Sequence, residues 1–262
     1  MSKTFGEVEA LTNIDLEIYG GQVLGLVGGN GAGKTTLLRL MSGVYAPTKG
    51  NVVFSDGKHV MLDRGRLGVV PESTGLYHRL TAWENIRYHT RLHGIDDQKA
   101  WARVVGFAKA LEIEEDLNRH TKGFSRGMRQ KTALLRALAH GPDVLLLDEP
   151  TAGLDVTSAR TVRALVEKLR SEGGTIIYST HHLAEASQVC DRIVIIHNGT
   201  IRADGSPKEL MELTSTNTLE EAYVTLTSEK SRSRSEDTQK ESKMASWWRK
   251  LLTPKQRGLE DE

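Results

Sequence analysis

The run Val23-Leu24-Gly25-Leu26-Val27 followed by Gly28-Gly29-Asn30-Gly31-Ala32-Gly33-Lys34-Thr35-Thr36 constrains this chain more than any other stretch. Its opening is short, apolar and rich in Val and Leu, the pattern of a strand buried on both faces. Leu37, Leu38, Leu40 and Met41 then fall at helical spacing. Between strand and helix, Gly28 to Thr35 satisfies G-x-x-x-x-G-K-[ST], the phosphate-binding loop. Glycines let successive backbone N–H groups wrap a phosphate chain with no Cβ in the way. The helix that starts there adds the positive end of its dipole. Lys34 reaches the terminal phosphates and the Thr35 hydroxyl offers a ligand to Mg²⁺. The arrangement implies a nucleotide-triphosphate site on an α/β fold.

A second stretch answers to the first. Val144-Leu145-Leu146-Leu147 delivers Asp148 and Glu149 at the end of a buried strand, where open parallel sheets bind ligands. One carboxylate there holds Mg²⁺ through water, and the other orients and polarises an attacking water. Thr175-Ile176-Ile177-Tyr178-Ser179-Thr180 repeats the arrangement and ends in His181 and His182, either of which reaches a γ-phosphate as a donor. Arg192 to Gly199 reads as a further strand and turn.

The rest of the chain carries weaker signals. Ile14, Leu16 and Ile18 alternate with Asp15, Glu17 and Tyr19, predicting a half-buried antiparallel strand. Phe5, ahead of it, has two readings: an adenine-stacking ring or a small-core residue. Asn51 to Phe54 and Arg66 to Val70 read as strands, the second stopped by Pro71. Thr81 with Glu84 three residues on marks a helix start, and the pattern stays helical to about residue 118. His78, His89 and His93 share no ligand spacing with acids or cysteine, which predicts solvated surface. Phe124-Ser125-Arg126-Gly127-Met128-Arg129-Gln130 turns into an Ala/Leu-rich helix ended by Gly141-Pro142.

Composition sets bounds on function. A net charge of +1 argues against a dedicated nucleic-acid binder. One cysteine, Cys190, excludes an internal disulfide and suits a reducing compartment. No apolar run approaches the roughly 20 residues that span a bilayer, and the start has no signal-peptide pattern. The expected location is therefore cytosolic, with any membrane role supplied by a partner.

These motifs, in this order, make the chain similar to the ATP-binding subunit of an ABC transporter over roughly residues 2 to 226. The resemblance implies a phosphate-loop (RecA-like) α/β core, an N-terminal antiparallel β subdomain and an inserted α-helical subdomain carrying the family signature. It implies nucleotide contacts at Phe5 (stacking on adenine) and from Gly28 to Thr36. Asp148 becomes the Mg²⁺ carboxylate, Glu149 the catalytic base and His181 the switch histidine. The signature, usually Leu-Ser-Gly-Gly-Gln, falls on Phe124-Ser125-Arg126-Gly127-Met128. Ser125 and Gly127, kept from it, would contact ATP held by a second subunit, while Arg126 and Met128 depart from it. The usual metal-site glutamine falls on Glu72 or, with a one-residue slip, on Ser73; a carboxylate there can ligate Mg²⁺ but donates no hydrogen bond.

The segments Thr74-Gly75-Leu76-Tyr77 and Leu219-Glu220-Glu221-Ala222-Tyr223 resemble ABC-2-type exporter subunits. The resemblance therefore implies an ATPase that uses ATP and Mg²⁺, closes as a dimer (a homodimer in the simplest case) and powers an integral-membrane permease from the cytoplasmic face. Two other readings remain in view: an ABC ATPase acting on ribosomes or DNA, and an inactive regulatory module. Residues 227–262 form a separate unit. Ser228 to Ser242 holds no aliphatic residue and reads as a disordered linker. After it, Met244, Trp247, Trp248, Leu251 and Leu252 gather on one side of a short helix suited to a membrane interface or a partner groove.

Overall fold

The computed structural model describes residues 1–55, 60–61 and 64–228; the linker and amphipathic readings of the chain beyond residue 228 lie outside them. A short antiparallel pair, β1 (Lys3–Phe5) and β2 (Val8–Leu11), opens the chain. The buried strand β3 (Val23–Val27) leads through the phosphate loop into α1 (Lys34–Met41). A two-residue pair, β4 (Phe54–Ser55) and β5 (Val60–Met61), precedes β6 (Leu67–Val70). Three helices follow: α2 (Ala82–Leu92), α3 (Asp97–Ala110) and α4 (Arg126–Leu138). The chain then runs β7 (Val144–Asp148), α5 (Val156–Ser171), β8 (Thr175–Thr180), α6 (Leu183–Val189), β9 (Arg192–His197) and β10 (Thr200–Gly205). It ends in α7 (Pro207–Thr214) and α8 (Leu219–Thr227).

Six strands form one sheet in the order β10-β9-β3-β8-β7-β6, parallel except for the β9–β10 hairpin. The apolar runs alternate between its two faces. Val23, Val27, Leu145, Leu147, Ile176, Tyr178, Ile193 and Ile195 pack with residues of α4, α5 and α6. Leu24, Leu26, Leu146, Ile177, Val194 and Ile196 pack with α1 and with Leu11 and Ile14 of the N-terminal part. Both faces are covered, so the central strands are apolar on both sides, and each such side chain contributes about 1.5–3 kcal/mol. The α/β expectation is met, with helices α2 to α4 inserted between β6 and β7.

Three local expectations change. The alternation at Ile14, Leu16 and Ile18 shows in burial, but the ladder stops at Leu11, and 12–19 is not strand. Period-two burial needs only an extended chain lying on a core. Of Asn51 to Phe54, only Phe54 pairs, in β4. The long helical stretch after Thr81 is two helices. Gly94 at φ 68 ends the first, and the Asp96 side chain caps the second by accepting from Gln98 and Lys99 N–H. The Thr81–Glu84 capping box forms as expected.

The histidine expectation fails in part. His78 is exposed, but His89 and His93, four apart along α2 and its C-cap, turn inward and meet His140. The His93 and His140 rings stack at 4.1 Å and 11°. Burial, ahead of neighbouring charge, lowers the pKa of His89 and of His140 to about 4.

Candidate functional site

The site is built where α1 begins. Six of the described α-helices start on a side-chain cap: Thr81, Asp96, Ser125, Asp155, Ser206 and Thr218. Helix α1 starts on Gly33 at φ 112, with no side-chain cap and no acid in its first turn. Its orphan N–H groups and dipole therefore face the cavity, as an anion site requires. Gly31, at φ 78, has nothing within 4 Å of a Cβ position.

That loop is gripped from three directions. Thr12 N–H donates to the Gly199 carbonyl (2.8 Å), and Gly199 N–H donates to the Ala32 carbonyl (3.0 Å). Gly29 N–H donates to the Tyr223 hydroxyl at 3.1 Å. Gly28 packs so closely that a Cβ there would stand 2.3 Å from the Ile196 carbonyl oxygen. Tyr223 is a contact that sequence reasoning assigned no role, because nothing local links α8 to the loop.

A cavity of about 390 Å³ opens over the loop. Gly29, Asn30, Gly31, Ala32, Gly33, Lys34, Thr35 and Thr36 line it, and Glu72, Glu149 and His181 join them from other strands' ends. Lys34 is buried, and its ammonium donates to the Gly28 carbonyl (2.7 Å) and the Gly29 carbonyl (3.3 Å). It also pairs with Glu149 Oε1 at 3.2 Å. The other Glu149 oxygen meets His181 Nδ1 at 2.9 Å, so the imidazole N–H there donates to the carboxylate. Glu149 sits at φ 49, a left-handed conformation unusual for a side-chain-bearing residue.

Asp148 lies beneath, buried, and does not line the cavity. Its Oδ1 accepts from the Ser179 hydroxyl at 2.7 Å, and Ser179 Oγ accepts the Glu149 N–H at 3.0 Å. One buried hydroxyl therefore fixes both carboxylate residues, a role sequence reasoning did not give to Ser179. Glu185, also buried, accepts from Thr151 (2.9 Å) and Thr180 (3.2 Å) and pairs with Arg163 at 3.4 Å. That network ties the turn after Glu149 to the end of β8.

The remaining predicted residues sit elsewhere. Phe5 is half-exposed, edge-on to Tyr45 at 5.2 Å with the Lys3 ammonium 4.8 Å from its ring, so it is no core residue. It does not line the cavity. Ser125, Arg126, Gly127 and Met128 form the start of α4, away from the loop: the Ser125 hydroxyl caps the helix by accepting Met128 N–H at 3.2 Å. A Cβ on Gly127 would stand 2.6 Å from Ser158 Oγ, and one on Gly153 2.4 Å from the Arg126 guanidinium. The signature thus packs on the segment following Glu149 of its own chain. Backbone and side-chain bonds from Ser158 hold the neighbouring Asp155 carboxyl below its usual pKa.

The donor set fits a hard divalent cation. Thr35 and Glu72, both oxygen-bearing, line the cavity, the type of ligand suited to Mg²⁺, while buried Asp148 stands outside its lining. No helix among the described residues is long and apolar enough to cross a membrane.

Known proteins match this arrangement. The family model described as ABC transporter matches residues 11–152. The chain is 40% identical over 210 residues to ABC transporter ATP-binding protein NatA of Bacillus subtilis, covering 78% of this chain and 85% of that protein. It is 34% identical to Nod factor export ATP-binding protein I of Cupriavidus metallidurans, over 80% and 70% of the two chains. A solved dimeric ATP-binding cassette in a post-hydrolysis state, bound to ADP and Pi, superposes with TM-score 0.69 at 26% identity, covering 78% of this chain and 94% of that one.

Proposed function

This chain belongs to the ABC transporter family, as an ATP-hydrolysing ATP-binding subunit, and on that premise we propose that it powers an exporter through the residues gathered around Lys34. The observation that carries the proposal is the convergence of Lys34, Glu149 and His181 over the phosphate loop, with Glu149 within 3.2 Å of Lys34 and 2.9 Å of His181. Loop and α1 N–H groups hold the phosphate chain, and the Lys34 ammonium offsets its charge. Glu149 takes the proton of the attacking water and is held in position by the Nδ1–H of His181, the same N–H that would turn to the γ-phosphate once that phosphate is bound. Thr35 and Glu72, with Asp148 through water, would hold Mg²⁺, which would supply charge neutralisation to the phosphates. Phe5 stacks on the adenine.

Residues 1–226 act as the ATP-binding domain, with 227–262 appended. A phosphate loop leaves one side of ATP open; Ser125 and Gly127 of a second copy cover it in a head-to-tail dimer, with Arg126 and Met128 flanking. The solved dimeric cassette supports this arrangement. An integral-membrane permease is the partner, which places the subunit on the cytoplasmic face of the membrane. The export direction rests on the likeness to Nod factor export subunits. Affinity purification of the tagged full chain from detergent-solubilised membranes tests the reading. The expected result is co-recovery of a polytopic membrane protein and Mg²⁺-dependent ATP turnover that Lys34→Ala abolishes. Recovery without a membrane protein, with turnover stimulated by ribosomes or DNA, would overturn it.

A further inference from the structure

Away from the nucleotide cavity, the end of α2 and the segment after α4 bring three imidazoles together. His89 and His93 come from successive turns of one helix face, and His140 arrives from beyond Leu138. One potential ligand nitrogen from each lies within 4.8 Å of the others. His140 is only 6% exposed. Its Nε2 lies 3.2 Å from the Leu67 carbonyl. A carbonyl only accepts, so Nε2 carries the proton and Nδ1 is left as the lone-pair nitrogen. Buried and without a hydrogen-bond partner, that Nδ1 shares its situation with Nδ1 of His89.

Ring stacking accounts for the proximity of the rings and not for these nitrogens. His93 and His140 meet face to face at 4.1 Å and His89 stands tilted to both, at 4.7 and 5.7 Å, but ring contact satisfies no in-plane lone pair. Buried polar atoms without partners are rare and ask for an explanation. An imidazole whose far nitrogen donates to a backbone carbonyl is the usual form of a metal-ligating histidine, oriented and made more basic by that bond.

We propose that His89, His93 and His140 bind one borderline-soft divalent transition-metal ion, of which zinc(II) is the type, with water completing the coordination. Three neutral nitrogen donors select such an ion over Mg²⁺ or Ca²⁺, which require oxygen ligands. Zinc–nitrogen bonds of about 2.0–2.1 Å place tetrahedral nitrogens about 3.3 Å apart, so nitrogens within 4.8 Å of one another close by at most about 1.5 Å on binding. His93, the partly exposed C-cap of α2, supplies that movement by rotating its side chain out of the stack. The nearby guanidiniums are already engaged: Arg136 donates to the Thr74 and Gly75 carbonyls, and Arg103 lies toward the Ala139 carbonyl.

Placement gives the site a consequence. His140 is bonded to Leu67, the first residue of β6, while His89 and His93 end α2. A bound ion therefore cross-links the inserted helices to the edge of the sheet, at the far end of the helix that Ser125 begins. The position is independent of ATP hydrolysis, so its test stands apart from the function proposed above.

The test uses the untagged full chain, stripped of metal, titrated with Co²⁺ without nucleotide and followed by visible absorption, then with Zn²⁺ by calorimetry. Expected are one ion per chain, ligand-field bands of a four- or five-coordinate nitrogen site, displacement by Zn²⁺ but not by millimolar Mg²⁺, and a raised thermal midpoint. His93→Ala and His89→Gln should each weaken binding at least tenfold. His181→Ala, which removes the exposed histidine of the nucleotide cavity, should leave the binding unchanged. Absence of stoichiometric binding, or binding lost with His181→Ala and retained in His93→Ala and His89→Gln, would overturn the assignment.

Discussion

Replacing Glu149 by Gln separates the two roles proposed for one carboxylate. Its Oε1 lies 3.2 Å from the Lys34 ammonium and its Oε2 2.9 Å from His181 Nδ1. An amide cannot take a proton from water, and a positioned general base is worth about 10²–10⁴ in rate, or about 3–5 kcal/mol in the barrier. Turnover should therefore fall by at least two orders of magnitude. Binding should respond the other way. Two unit charges about 4 Å apart near a surface interact by about 4 kcal/mol before desolvation is set against it, so the carboxylate competes with phosphate for Lys34. The Glu149→Gln substitution removes the competitor while Lys34 keeps the Gly28 and Gly29 carbonyls. ATP should bind as tightly as before or more tightly. Phosphate release at saturating ATP and Mg²⁺ measures the first effect, and calorimetric titration with ATP the second. Turnover within threefold of the unmodified protein would refute the base assignment. A tenfold loss of affinity would refute the competition argument.

Ser179→Ala removes the hydroxyl that joins Asp148 to the Glu149 N–H and leaves that N–H unsatisfied, so denaturant unfolding should show a loss of about 1–3 kcal/mol, with lower turnover. Gly28→Ala places a methyl 2.3 Å from a backbone oxygen that cannot rotate away; a loss of about 1–3 kcal/mol and weaker ATP binding are expected in the same unfolding and titration assays. Glu72→Gln should keep turnover and Glu72→Ala lose most of it, in an assay scanned over Mg²⁺ concentration; equal activity in all three forms would remove Glu72 from the metal site. Burial raises the Cys190 thiol well above its usual pKa, so alkylation should be negligible in the native protein at neutral pH and rapid in denaturant.

Much of the sheet is legible in the sequence because its strands are short, uniformly apolar runs with no competing helical period. The phosphate loop, Asp148 and Glu149 are legible for the same reason, since each follows such a run. What escapes is contact between distant segments. The alternation at Ile14 to Ile18 reports which side chains face the core and says nothing of backbone pairing. Ser179 looks like an ordinary strand residue until β7 and β8 lie side by side. His89 and His93 do stand at helical spacing, a signal available in the sequence, but His140 gives them meaning only once α4 has folded back along α2. Tyr223 reaches the loop from another part of the chain altogether.

The three-way grip on the phosphate loop also orders events during synthesis. The loop itself leaves the ribosome early, but Gly199 and Tyr223, which hold Ala32 and Gly29, come near the end of the described chain. At about 5–20 residues per second, roughly 10–40 s separate translation of Thr36 from translation of Tyr223. Through that interval the nascent chain carries a complete phosphate-loop sequence without the supports that fix its backbone. Any nucleotide contact that depends on those supports has to wait until Tyr223 has been translated.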